Sequence, residues 1–166
     1  MAATREMVTI ATRVTPAQVT LVPEHPNELT TTGGLDVARH ADSLKTTVTR
    51  LHEADIQVSL FIDADLKQVR KARAIGAEAI EINTGPYADS TEDDQRKYLA
   101  KVVSAARLAK RQRLEVLAGH GLTYLNIGPV ALIEEIVEVN IGHSLVARAV
   151  LVGMEQAVRE MRHLLG

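Results

Sequence analysis

The sequence contains no cysteine and no tryptophan, and aromatic residues make up only 2% of its 166 positions. The lack of cysteine excludes disulfides and thiolate metal sites, and it makes a reducing cytoplasm the expected location. The scarcity of aromatic side chains argues against base-stacking surfaces and aromatic ligand cages. Dinucleotide-binding and Walker-type glycine loops are also missing, so we expect no nucleotide cofactor.

Charge and hydropathy exclude two further kinds of partner. The formal net charge is −2 and neither sign forms a long block, so we expect no nucleic-acid-binding face. No apolar run approaches the ~20 residues of a membrane span, and the first residues lack the basic-then-apolar pattern, so we expect neither a membrane span nor a signal peptide. With 46% hydrophobic and 24% charged residues, the composition is that of a globular protein. We expect one domain over residues 1–166, with a core of Val, Ile, Leu and Ala.

Short apolar runs alternate along the chain with segments of helical periodicity. Strands are predicted at 18–22, 58–62, 79–83, 113–118 and 137–141. Helices are predicted at 4–13, 35–54, 91–110, 130–136 and 143–165, and around Val69, Ala72 and Ile75 between an aspartate cap and Gly76. This alternation predicts βαβ units and a parallel sheet. Both an open doubly wound sheet and a (β/α)₈ barrel lacking some units fit it, since a whole barrel needs about 250 residues.

Polar or ionisable residues follow every predicted strand, at the edge where α/β folds do their chemistry. They are Glu24 after the first strand, Asp63 and Asp65 after the second, Glu81 and Asn83 in the third, His120 after the fourth, and Asn140, Gly142 and His143 after the fifth. We interpret Asp63 and Asp65 as helix caps rather than catalytic groups. His25, His40, His52 and His163 are interpreted as solvated, and no metal-ligand spacing is convincing.

Four of these positions, in three parts of the chain, are candidates for function. His120 stands between Gly119 and Gly121, which predicts either an uncrowded proton-transfer group or a tight turn with an incidental histidine. Glu81 interrupts an apolar strand and should point away from its neighbours, as a functional carboxylate or as a structural ion pair. Gly142 and His143 open the last helix, where free N–H groups favour phosphate; the alternative is a tight helix start without a ligand.

Six stretches of the sequence carry longer motifs. They read LVPE (21–24), TTTGGLDV (30–37), QVSLFIDAD (57–65), IEINTGPYA (80–88), AGHGLTY (118–124) and NIGH (140–143). In this order they resemble the pyridoxine 5′-phosphate synthase family over essentially the whole chain. The resemblance implies a (β/α)₈ barrel and a cytoplasmic, homo-oligomeric transferase (an octamer in the family) that needs no cofactor. That enzyme makes the ring of vitamin B6 from 1-deoxy-D-xylulose 5-phosphate and 3-amino-2-oxopropyl phosphate.

The same resemblance implies roles for individual residues. Thr30 would contact deoxyxylulose phosphate, Glu81 would stabilise charge during ring closure, and His120 would donate a proton. Gly121, with Gly142 and His143, would bind the aminoacetone phosphate. Of these positions, Thr30 comes from the resemblance alone. Asn83 departs from the pattern, since many members have histidine there.

The chain also departs from the family at its beginning. The family's third strand ends in Glu-Met-Ala, and Met1 and Ala2 match the last two letters, so a catalytic glutamate and the first two βα units fall upstream. We therefore expect a truncated barrel of about five strands and six helices that is inactive alone. The alternative is a shortened, non-catalytic relative with a phosphate-binding or structural role. A different phosphate-handling barrel, such as an isomerase or an aldolase, fits the layout but not the motifs.

Overall fold

A computed structural model of the protein describes residues 1–23 and 33–166. Five strands form the sheet: β1 Gln18–Leu21, β2 Gln57–Ile62, β3 Ala79–Asn83, β4 Glu115–Gly119 and β5 Glu138–Asn140. The helices in the described residues are α1 Arg5–Val14, α2 Ala41–His52, α3 Leu66–Ala74, α4 Gly85–Ala88, α5 Glu92–Arg111, α6 Ile127–Ala131, α7 His143–Val152 and α8 Met154–Leu165. None of the helices in these two ranges is long and apolar enough to cross a membrane.

The strand order decides between the two predicted architectures. The strands are all parallel and lie in the order β1-β2-β3-β4-β5, so each strand pairs with its neighbours in the chain. A doubly wound sheet reverses its order at a switch point, whereas a barrel keeps chain order throughout. Ala2 adds a parallel bridge to Val22 beyond β1. The expected truncated barrel is therefore confirmed, as a curled half-barrel of five parallel strands.

The sheet separates an apolar outer face from a concave inner face. Ile80 and Ile82 of β3 are fully buried in the main apolar cluster, together with side chains of the surrounding helices. Because side chains alternate along a strand, Glu81 points to the opposite face. Its partners in strand register there are Phe61 on β2 and Leu117 on β4. The orientation predicted for Glu81 is thus correct.

Several helix ends follow from local sequence signals. The Thr4 hydroxyl accepts a hydrogen bond from the Met7 N–H (3.3 Å) at the start of α1, and Asp65 Oδ1 accepts one from the Lys67 N–H (2.6 Å) at the start of α3. Gly76 follows α3 with φ +99°, as a residue that ends a helix often does. The long helix α5 starts after Thr91, with acidic residues in its first turn and basic ones in its last.

Other boundaries differ from the prediction. The helix predicted to begin at residue 35 begins at Ala41, because the Leu35 N–H bonds to the Phe61 carbonyl oxygen (2.8 Å) and Asp36 Oδ1 accepts from the Arg39 N–H (3.1 Å). Residues 85–88, for which neither a helix nor a strand is predicted, form α4, and the helix predicted at 130–136 begins and ends earlier, as α6. The predicted closing helix is divided at Gly153, whose φ of +84° lies outside the helical range. The described residues therefore contain eight helices, rather than about six.

Candidate active site

One open cavity of about 510 Å³ lies at the carboxyl ends of β4 and β5, beside the start of α7. Its lining residues are Asp89, His120, Gly121, Leu122, Thr123, Asn140, Ile141, Gly142, His143 and Ser144. Four residues singled out from the sequence, His120, Gly121, Gly142 and His143, thus line the same cavity. A groove of similar size along α8 is lined by residues of that helix and by Gly166, so it contains no strand end.

Glu81 is linked to this cavity through Asn140. Its Oε2 accepts a hydrogen bond from Asn140 Nδ2 (2.9 Å), and Asn140 itself lines the cavity. Its Oε1 lies against Gly119, where the Cβ of any other residue would overlap it. A glycine at position 119 is therefore what allows a carboxylate from β3 to lie across the end of β4.

The surroundings of Glu81 favour its protonated form. Partial burial raises the pKa of the Glu81 carboxyl, the hydrogen bond from Asn140 acts in the opposite direction, and repulsion by Glu138 adds to the rise. A carboxyl group with a raised pKa exchanges protons at a less acidic pH than an ordinary glutamate does. This property suits a group that stabilises or transfers charge during a reaction.

His120 occupies a tightly held turn at the end of β4. Its φ of +81° is unusual for a residue that carries a Cβ. The Thr84 hydroxyl lies 2.6 Å from the His120 carbonyl oxygen and 2.8 Å from that of Gly119, and the Thr84 N–H also donates to the Gly119 oxygen (2.8 Å). The following Gly121 has φ +71°, and a Cβ there would lie 2.6 Å from Ala88 Cβ. The two glycines therefore let the turn pack closely between Glu81 and α4.

The start of α7 forms the opposite wall of the cavity. Gly142 is its N-cap residue, and no side chain caps the helix. His143 is exposed, and a Cβ at Gly142 would meet nothing within 4 Å, so this wall opens to solvent. The Ser144 hydroxyl donates to the Leu122 carbonyl oxygen (2.7 Å), which joins this wall to the β4 side of the cavity. Uncapped N–H groups at the positive end of a ten-residue helix can bind an anion such as phosphate.

The structure separates the roles of the two aspartates that were both interpreted as caps. Asp65 caps α3, but Asp63 Oδ1 accepts hydrogen bonds from the Gly34 N–H (2.9 Å) and from Asn83 Nδ2 (2.9 Å). Asn83 is buried at the end of β3. The sequence does not predict these two hydrogen bonds, because Gly34 and Asn83 each lie 20 or more residues from Asp63. A polar residue that ends a buried strand was the available signal for Asn83.

The remaining sequence predictions concern histidines and metals. Thr30, Glu24 and His25 lie outside the described residues. His40 and His163 are exposed, as expected. His52 lies on α2 with its side chain 37% exposed, and its Nε2 lies 3.0 Å from Glu78 Oε1. Within residues 1–23 and 33–166, no group of three or more His, Asp or Glu side chains is placed to hold a metal ion.

A parallel sheet in chain order, with titratable groups and an open helix start at the strand ends, defines an α/β-barrel enzyme domain. Solved structures of low sequence identity share this fold. One described as "Native KDPGal structure" matches with a TM-score of 0.60 and 14% identity, over 98% of this chain and 66% of that one. One described as "Crystal Structure of Citrate Synthase SbnG" matches with a TM-score of 0.55 and 12% identity, over 98% of this chain and 69% of that one.

The chain belongs to the family of the pyridoxal phosphate biosynthesis protein PdxJ, whose family model matches residues 1–166. A pyridoxine 5′-phosphate synthase of Syntrophotalea carbinolica is 55% identical over 167 residues, covering 100% of this chain and 70% of the relative. One of Parasynechococcus marenigrum is 52% identical over 165 residues, covering 99% and 66%. The chain thus spans about two thirds of these relatives' length, and their names support the synthase function. The family resemblance drawn from the sequence motifs is confirmed.

Proposed function

We propose that these residues form part of the active site of a pyridoxine 5′-phosphate synthase, a transferase that condenses 1-deoxy-D-xylulose 5-phosphate with 3-amino-2-oxopropyl phosphate. The observation that carries the proposal is the cavity that His120 shares with the open start of α7. A phosphate bound at the helix start would place the rest of a small substrate toward the imidazole. Membership of the family implies phosphorylated substrates of this kind.

The residues contribute different steps to this reaction. The N–H groups after Gly142, with His143 and Gly121, bind the phosphate of the aminoacetone phosphate. The amine of this substrate condenses with the ketone of the other, and water leaves. His120 donates a proton to a departing oxygen, and Glu81 stabilises charge that develops as the ring closes and inorganic phosphate is released. Thr30 contacts the deoxyxylulose phosphate. By family, the working enzyme is a cytoplasmic homo-oligomer.

Inorganic phosphate tests the anion site in the purified 166-residue chain. A carboxylate introduced by Gly142→Asp would repel the anion from the helix start and should weaken phosphate binding about tenfold. Gly128→Asp is the matched control, because Gly128 lies in the first turn of α6 and also has nothing within 4 Å of an added Cβ. Calorimetric titration measures the affinity of the wild type and of both variants for inorganic phosphate. Equal affinities in the two variants, or no binding by the wild type, would contradict the phosphate site.

A chimera tests the synthase reaction itself. Residues 1–166 replace the matching 70% of the Syntrophotalea carbinolica relative, so that the part of the relative outside the match completes the enzyme. We expect this chimera to form pyridoxine 5′-phosphate from the two substrates, and His120→Gln to lower its kcat by roughly 10²–10⁴-fold. The isolated chain should form no product. A folded but inactive chimera would instead favour the shortened, non-catalytic relative.

A further inference from the structure

We propose that Asp63 and Asn83 are positioning residues that hold the His120 imidazole in its working orientation. Neither residue lines the cavity that contains His120. They act through the turn that follows β3, on which the His120 ring rests. The inference rests on the proposed function, because it concerns the orientation of the proton donor.

The side chain of Asn83 is held by hydrogen bonds at both ends of its amide. Its side chain is buried, with 2% of its surface exposed, and both halves of its amide are used. Nδ2 donates to Asp63 Oδ1 (2.9 Å), and Oδ1 accepts from the Gly85 N–H (2.9 Å). The acceptor on one side and the donor on the other leave a single orientation of the amide. The carboxylate of Asp63 therefore determines which atom of Asn83 faces Gly85.

The His120 imidazole packs against the backbone of Gly85. A Cβ at Gly85 would lie 2.7 Å from His120 Cδ2 and 3.5 Å from His120 Nε2. The ring thus packs directly on the backbone that Asn83 holds. On another side Phe61 faces it, with the ring centroids 6.3 Å apart and the planes tilted by 54°. A displacement of the 84–85 turn would therefore change the position of the ring relative to Phe61.

Asp63 links the segment after β2 to the end of β3. It follows β2 and contacts both the Gly34 N–H and the end of β3. The side chain is exposed, so its two hydrogen bonds, rather than apolar burial, determine its effect. The neighbouring Asp65 has the same charge, lies in the same loop and caps α3 instead. This difference provides a matched control.

Nuclear magnetic resonance of the isotopically labelled 166-residue chain tests the proposal. The ring signals of His120, assigned with His120→Gln, carry a ring-current shift from Phe61, and Phe61→Leu gives the values without that shift. We expect Asp63→Ala and Asn83→Ala to move the His120 signals toward these values. The Gly85 amide should also exchange at least about fivefold faster, as the loss of one net hydrogen bond predicts. Asn83→His keeps one donor and one acceptor, so in this variant the His120 signals should stay close to their wild-type values, unlike in Asn83→Ala.

The controls separate positioning from general stability. Asp65→Ala should lower the stability of α3 and leave the His120 signals unchanged. The proposal is overturned if Asp63→Ala is folded and the His120 signals stay at their wild-type values, or if Asp65→Ala moves them as far. Because Asp63 is exposed, its variant decides the question even if Asn83→Ala does not fold. Phosphate binding at α7 should survive Asp63→Ala. Its absence in the wild type would contradict the proposed function and not the positioning role.

Discussion

The charge of Glu81 depends on the fold. Its pKa is raised in the folded chain, chiefly by burial, so between the ordinary value of 4.5 and the folded value the folded chain holds more protons than the unfolded chain. The free energy of unfolding should therefore fall as the pH rises through this interval, and level off above the folded pKa. Glu81→Gln keeps an acceptor for Asn140 without the charge, and should remove this fall.

Urea unfolding between about pH 4 and about pH 7 measures this effect, since the interval covers the titration of a perturbed carboxyl. Glu115→Gln is the control, because it removes an exposed carboxylate from the other end of the same sheet. The control should keep the wild-type dependence on pH. Parallel curves for the wild type and Glu81→Gln would contradict the effect of burial on Glu81.

Gly121 combines two requirements that no other residue type meets. Its φ of +71° is strained for a residue with a Cβ, and that atom would lie 2.6 Å from Ala88 Cβ. Gly121→Ala should therefore lower the free energy of unfolding by about 1–3 kcal/mol. Gly128→Ala, in α6 with open space around it, should be neutral or stabilising by up to about 1 kcal/mol. Denaturant unfolding of both variants measures the difference, and similar stabilities would show that the turn tolerates displacement.

At the scale of elements, Gly153 divides the C-terminal helical segment into two helices. With φ +84° and ψ +154°, it separates α7 from α8, and the Arg148 guanidinium then reaches Glu160 with contacts of 2.8 and 3.1 Å. Gly153→Ala should favour a continuous helix over this corner, and should cost about 1–3 kcal/mol of stability. It should also weaken the Arg148–Glu160 pair. Unfolding of Gly153→Ala, of Arg148→Ala and of the double variant measures the coupling, and strict additivity would contradict it.

The elements also show how far the sequence determines the structure. The alternation around Glu81 correctly predicted the face to which it points, because strand periodicity is local. Gly153 was missed because an isolated glycine is tolerated within a helix, and only the contacts between α7 and α8 select the break. The contacts of Asp63 could not be predicted, since local spacing favours a cap for it as strongly as for Asp65. Only the long-range partners of Asp63, Gly34 and Asn83, distinguish its role from the helix cap at Asp65.

At the scale of the molecule, the described sheet has two unpaired sides. β5 lies at one end of the strand order, and the bridge from Ala2 lies beyond β1 at the other. Backbone N–H and C=O groups on such edges can pair with another chain. Next to β5 in sequence, α7 and α8 expose the large apolar side chains of Val146, Val150, Leu151, Met154, Val158 and Leu164. An open edge and several exposed large apolar side chains on two neighbouring helices favour association.

We therefore predict that the purified 166-residue chain associates as its concentration rises. Val150→Lys should shift this association to higher concentration without lowering stability, because Val150 is 80% exposed and loses few contacts. Leu132→Lys is the matched control, since Leu132 is 83% exposed but follows α6 and belongs to neither α7 nor α8. Sedimentation velocity over a concentration series measures all three proteins. An equal effect of the two lysines would assign the association to general hydrophobicity, whereas a selective effect of Val150→Lys would assign it to the exposed side chains of α7 and α8.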